Sequence, residues 1–178
     1  MMMTIVKYVS LCLFFVPSVY GLTLANGVDI NFGILEFSGY SGDNAIGTNG
    51  SITYGSSFSG SSLGTAGAIE IQDTTGTVVE IACEKTGTIA DISGNDISLN
   101  NAEVSIGLGN GQPHGSGTSC NGIKKTVITH TISANSANNT LLIGLNMRTN
   151  NQQNSIESGI YRTDYSGGSP ITVRILVQ

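Results

Sequence analysis

The sequence has no tryptophan, only three prolines and two histidines, and few charges: Asp, Glu, Lys and Arg together make up 11% of its 178 residues. Each shortage excludes something. Lys124 and Lys125 are the only adjacent basic pair, and acidic residues outnumber basic ones 12 to 7. Neither nucleic acid nor an anionic membrane would find a cationic patch here. With His114 and His130 as the whole histidine complement, general bases that titrate near neutral pH are scarce. No GxSxG elbow marks a nucleophilic serine. No long stretch repeats apolar residues at helical spacing, and no internal repeat is evident.

What is abundant points one way. Glycine occurs 24 times, and Ser, Thr and Asn fill most other polar positions. Glycine suits turns, and small hydroxyl residues suit the open face of a sheet. Aliphatic and β-branched residues recur with period two along the chain, which opposes disorder and favours an all-β extracellular domain.

The first 21 residues, MMMTIVKYVSLCLFFVPSVYG, have a different character. One early Lys7 is followed by an apolar run from Val9 to Val16, then Pro17 and a modest stretch ending at Gly21. This layout predicts a secretory signal peptide cut between Gly21 and Leu22, with Val19 and Gly21 at the two positions that signal peptidase reads. The run is too short to cross roughly 30 Å of hydrocarbon, so no membrane span is expected once the leader is gone. Loss of the leader takes Lys7 and leaves 157 residues, with six basic against twelve acidic side chains, a net charge of −6.

Cys12 would leave with the leader. Cys83 and Cys120 remain, an even pair in an exported chain, and this predicts a disulfide. Closing its loop of 37 positions is worth roughly 3–4 kcal/mol on the chain-entropy account. A metal site would need two further ligands at suitable spacing, so no metal and no cofactor are expected.

Short strands are predicted at 28–37, 51–54, 68–72, 77–84, 88–92, 96–99, 103–108, 124–133, 140–148, 158–165 and 171–178. In the first, Val28, Ile30 and Phe32 share a face. Asp73 to Gly76 reads as a turn, and Ser93-Gly94-Asn95 as a hairpin turn whose Gly94 and Asn95 can take positive φ. Residues 140–148 are apolar enough for a central strand. The stretch 38–67 is rich in glycine and serine and is expected to form long surface loops. Lys124 and Lys125 read as a strand edge that discourages pairing. The connections are too short for crossover helices, so the sheets should be antiparallel. The predicted domain, residues 22–178, is an Ig-like antiparallel β-sandwich, with a closed or partly open β-barrel as the alternative.

Two further signals are weaker. Asp91, Asn95 and Asp96 bring oxygen donors together, but calcium needs six or more oxygens from a defined loop, and a capped hairpin turn is the simpler reading. Tyr40, Tyr54 and Phe58 lie in the 38–67 stretch, where an aromatic could stack on a sugar, although isolated aromatics more often pack.

The two ends carry a resemblance. DINFGILEF places Phe32-Gly33 inside the first strand, and GIYRTDYSGGSPITVRILVQ sets a Gly-x-Tyr strand, a Gly/Ser turn and a final alternating strand in series. This layout resembles exported bacterial proteins grouped as domain of unknown function 4402. More distantly it is similar to spore coat protein U domains and chaperone–usher pilins. The resemblance implies a β-sandwich in the periplasm, at the cell surface or outside a Gram-negative bacterium, as a subunit of a fimbria-like or adhesive structure. It implies other copies of the chain or pilin-like subunits as partners, with a periplasmic chaperone, and it carries over no catalytic residue. The sequence departs from pilins in two ways. Its cysteine pair is mid-chain, and only LTLANG precedes the first predicted strand.

The leading expectation is therefore a non-enzymatic structural or adhesive protein that associates by strand addition, with Ile171, Val173, Ile175 and Val177 as the buried row of the terminal strand. That strand is expected to pair first within its own chain, beside 28–37 or 158–165, and to offer a docking edge second. A self-contained secreted module that binds glycans or receptors through the 38–67 loops is the alternative. A secreted hydrolase ranks last, because no nucleophile–base pair is visible.

Overall fold

The computed structural model of the chain describes residues 3–9, 21–37, 43–55, 58–61, 64–148 and 159–178. Its strands are β1 (Met3–Val9), β2 (Thr23–Val28), β3 (Ile30–Phe37), β4 (Asp43–Ile46), β5 (Ile52–Thr53), β6 (Phe58–Ser61), β7 (Gly67–Gln72) and β8 (Val78–Cys83). They continue as β9 (Gly87–Ala90), β10 (Asp96–Ile106), β11 (Thr118–Ser119), β12 (Ile128–Thr131), β13 (Thr140–Arg148), β14 (Gly159–Tyr161) and β15 (Val173–Val177). Helix is limited to two short 3-10 turns, Leu108–Asn110 and Ser136–Asn139. The protein is an all-β sandwich whose sheets do not close into a barrel. Every strand pair is antiparallel except β1 with β14.

The central strand is β13, as its apolar sequence predicts. One edge pairs along its length with β10. The other edge takes two strands in tandem, β7 at residues 140–143 and β4 at 145–148. Leu141, Ile143, Leu145 and Met147 are all fully buried. β2 continues the sheet beyond β7, β5 beyond β4, and β9 and β11 beyond β10. The second layer is the sheet β12-β8-β15, and β14-β1-β3-β6 forms a third group. Ile30, Phe32, Val79, Ile81, Leu99 and Tyr161 are drawn from all three sheets into one core, each at most 1% exposed.

Local residues account for the shape of β10. Asn100 pairs with Asn146 and Glu103 with Gly144, so two residues of β10 face one of β13. This is a β-bulge, and Asn101 takes φ 48° in it. The extra residue flips the alternation: Ile97 and Leu99 point into the core before it, Ala102 and Val104 after it. Predicted strands 96–99 and 103–108 are therefore one continuous strand, broken in pattern but not in backbone. At its start the predicted hairpin forms, with Asp96 opposite Ala90. Gly94 takes φ +87°, while Asn95 stays at negative φ.

Other expectations are corrected. The 28–37 strand is two strands separated at Asp29, and Val28 is 46% exposed on the first of them rather than sharing a buried face with Ile30 and Phe32. Besides β5, which falls in the predicted 51–54 strand, the 38–67 stretch contains β4 and β6 rather than only loops, and Asn44, Ala45 and Ile46 of β4 are buried. Gly144 makes this possible. A Cβ there would lie 2.5 Å from the carbonyl oxygen of Ile46, so only glycine lets β4 cross so close to β13. Lys124 and Lys125 sit in a turn closed by the Lys125 amide on the Gly122 carbonyl, ahead of β12 rather than on a strand edge. Finally, β15 pairs with β8, from Val173 opposite Cys83 to Val177 opposite Val79, and not with β3 or β14.

Candidate functional site

The predicted site residues fall in three places. Cys83 ends β8 and Cys120 follows β11, and they form a disulfide with Cα atoms 5.0 Å apart. The bond ties the small sheet to the large one, because β11 is paired to β10. Cys12 lies outside the described residues. Gly21 and Leu22 lead directly into β2, with Gly21 exposed and Leu22 half-buried. Among the described residues no helix is long and apolar enough to cross a membrane.

The third place is β15. Ile171 and Val173 are 2% and 1% exposed, and Ile175 and Val177 are half-buried against the same core. The row therefore packs inside its own chain. The backbone of β15 is different. β15 is the outer strand of its sheet, with β8 on one side and no strand paired to the other among the described residues. The Gln178 amide donates to Val78 and the Glu84 amide to Thr172. Counting back in twos, Arg174 and Leu176 also turn their amides toward β8. Val173, Ile175 and Val177 then present N–H and C=O outward, since antiparallel strands alternate in this way.

The outer face of this small sheet is laced together by Glu80. Its Oε2 accepts from Thr126 Oγ1 at 3.1 Å and its Oε1 from Gln178 Nε2. Beside the end of β15 lies a groove of about 430 Å³, lined by Gly21, Asp73, Thr74, Thr77, Val177 and Gln178 among others. Asp73 caps the turn into β8, its Oδ1 accepting from the Thr74 amide at 2.6 Å and from Thr77 Oγ1 at 3.4 Å. Its Oδ2 is shielded from solvent and has no partner.

The histidines are bonded separately, each to its own partner. His130, half-buried on β12, donates from Nε2 to Asn139 Oδ1 at 3.0 Å. That same oxygen accepts from the Ser133 amide. His114 Nε2 meets the Asn101 carbonyl at 3.3 Å. Both partners are amide oxygens rather than hydroxyls or thiols. At Asp91, Oδ1 accepts from the amides of Ser93 and Asn95, and Oδ2 accepts from Asn95 Nδ2. Burial alone would push this carboxyl up, but the Asn95 side chain and the amides of Asn95, Ser93 and Gly94 outweigh it, so it sits below its ordinary value. Those oxygens are spent on the hairpin turn. Tyr54 is half-buried and its hydroxyl is shielded without a partner. Tyr40 lies outside the described residues, and Phe58 is placed on β6 by its backbone.

One buried carboxylate gave no sign in the sequence. Glu103 is 3% exposed. Its Oε2 accepts from the amides of Gly115 at 2.9 Å and Gly117 at 3.3 Å, anchoring the 107–117 loop across β10. As a lone acid on a strand face that alternates outward, it reads as solvated. Only the loop folding back over it buries it. Arg162 makes a bidentate pair with Asp164, 2.7 and 2.8 Å, and lies 5.5 Å from the Tyr165 ring centre. This pair is exposed and braces its own turn.

No protein-family model, no curated protein and no solved structure matches the chain.

Proposed function

We propose that this chain is an exported, non-enzymatic structural or adhesive protein, a fimbria-like surface subunit that associates by β-strand addition. The observation that carries this reading is the free edge of β15. An incoming strand needs unpaired main-chain donors and acceptors, and the outward groups of Val173, Ile175 and Val177 supply them. The side chains of that strand are already seated in the chain's own core, so β15 offers its backbone as an acceptor edge rather than its apolar row as a donor. The acidic surface, the disulfide and the predicted leader support export. The resemblance of the two ends to domain of unknown function 4402 proteins and pilins supports a surface role, with copies of itself or a chaperone as the strand donor.

The test is the mass of the exported protein in solution across a concentration series, for wild type and for Val177→Pro. Proline removes the outward N–H of Val177 and no bond to β8, a substitution that edge strands accept. Concentration-dependent oligomers that the variant loses would support the reading. A wild-type protein that stays monomeric and binds no strand-forming peptide at this edge overturns it.

A further inference from the structure

The β2–β7 ladder fixes where the chain emerges from its leader. Thr23 lies opposite Gln72, Leu24 opposite Ile71 and Ala25 opposite Glu70. Extending that register by one residue sets Leu22 opposite Asp73, and partners in an antiparallel pair have Cα atoms about 4.5–5.5 Å apart. Gly21 and Asp73 accordingly line the same groove.

Of the three acids on β7, β8 and the turn between them, two are fully engaged. Glu70 Oε2 accepts from Asn26 Nδ2 and its Oε1 from Gln72 Nε2. Glu80 takes Thr126 and Gln178, one on each oxygen. Asp73 alone keeps an oxygen, Oδ2, that is shielded and unpartnered. No Lys, Arg or His is among the residues lining the groove. A buried acceptor with no donor is costly, and Asp73 Oδ2 has room for one more donor.

We infer that the donor is the chain's own new terminus: once the leader is cut between Gly21 and Leu22, the α-ammonium of Leu22 is captured by Asp73 Oδ2. This rests on the leader reading, and it adds a consequence to it. Before cleavage position 22 carries a neutral amide. Cleavage creates a charged donor beside the one unsatisfied carboxylate oxygen in the groove. Processing would therefore complete a clasp between Leu22, the residue just before β2, and the turn that leads into β8, pinning an edge of the large sheet to the small one.

The experiment uses full-length protein exported with its own leader. Intact mass fixes the N-terminus, and the rate of α-amine acylation near neutral pH is followed by peptide mapping. A free α-amino group has a pKa of about 7.7–8.0. In wild type the captured ammonium should react about threefold or more slowly than in Asp73→Asn, equivalent to a pKa raised by about half a unit. The two proteins should react alike in urea. If Asp73→Asn does not fold, Asp73→Glu, which keeps the charge, should remain slow in the folded state and become fast when unfolded. Equal folded-state rates with Leu22 at the terminus overturn the clasp and leave the leader reading intact. A terminus other than Leu22 overturns the predicted cleavage site, and the clasp with it.

Discussion

Cys83 ends β8 and Cys120 directly follows β11, and the bond between them is the covalent link from β8 to the β10–β11 corner of the large sheet. Both sulfurs are in the core, with Cys83 0% and Cys120 2% exposed. Backbone bonds support the link: Cys120 donates to the Ala102 carbonyl of β10 at 2.9 Å, and Gly122 donates across to the Cys83 carbonyl of β8 at 2.9 Å.

Replacing both cysteines by alanine should therefore lower unfolding stability by about 3–4 kcal/mol on the chain-entropy estimate. Urea denaturation of the double variant against the oxidised wild type measures this. The loop closes 37 positions, so reduction of the wild type should give a similar loss. A variant as stable as the wild type would mean that the hydrogen bonds alone hold the corner.

Gly144→Ala should be among the worst single changes for its size. The added methyl would meet backbone of β4 and the residues after it, at 2.5 Å from the Ile46 oxygen and 2.9 Å from the Gly47 carbon and the Thr48 nitrogen. Backbone cannot rotate away as a side chain can, and overpacking of this kind costs about 1–3 kcal/mol. For a chain of this size that corresponds to about 2–12 °C in melting temperature, readable by thermal denaturation.

Glu103→Ala should release the 107–117 loop. It removes the acceptor shared by the Gly115 and Gly117 amides, at a cost of about 1–3 kcal/mol. Amide hydrogen exchange at those two glycines should accelerate more than exchange within β13. Glu103→Gln keeps an acceptor oxygen and should recover much of the protection. Unchanged exchange in the alanine variant would show that the loop is held by Thr48 and Gln112 instead, which bond at 2.8 Å.

Asp91 gives a pH signature with a definite sign. Its carboxyl is held below the ordinary 3.8 by its turn partners. Its charged form therefore adds stability that is fully present above that ordinary value and is lost as pH falls through the lower, folded-state value. The stability gap between wild type and Asp91→Asn should be constant near neutrality and shrink below about pH 4. Urea titrations at several pH values would check this, and a gap that does not change with pH would rule out the charge as its source.

The fold class was legible in the sequence because period-two patterning and turn residues are local properties. The hairpin at Gly94 and the central strand 140–148 are visible in the sequence for that reason. What was missed is non-local. The β10 strand looked like two because the Asn101 bulge shifts the alternation by one residue, which sequence pattern treats as an interruption. β4 was hidden because Asp43 and Asn44 read as loop residues, yet Asn44 is fully buried, its Oδ1 accepting from the Gly55 amide at 3.1 Å. The partner of β15 could not be chosen by pattern, since β3, β8 and β14 all offer compatible faces. Glu103 and the unpaired oxygen of Asp73 depend on where loops land. Of the candidate site, then, the strand itself was visible and its neighbour was not.

The pairing of β8 with β15 joins residues 90 to 98 positions apart, from Cys83–Val173 to Val79–Val177. During synthesis β8 has no lasting partner on that side until nearly a hundred further residues have been made. Contacts of such long sequence separation slow folding, because the loop must close before the pairing rewards it. The small sheet is therefore completed only when the last residues of the chain are in place, so β15 closes the fold rather than starting it.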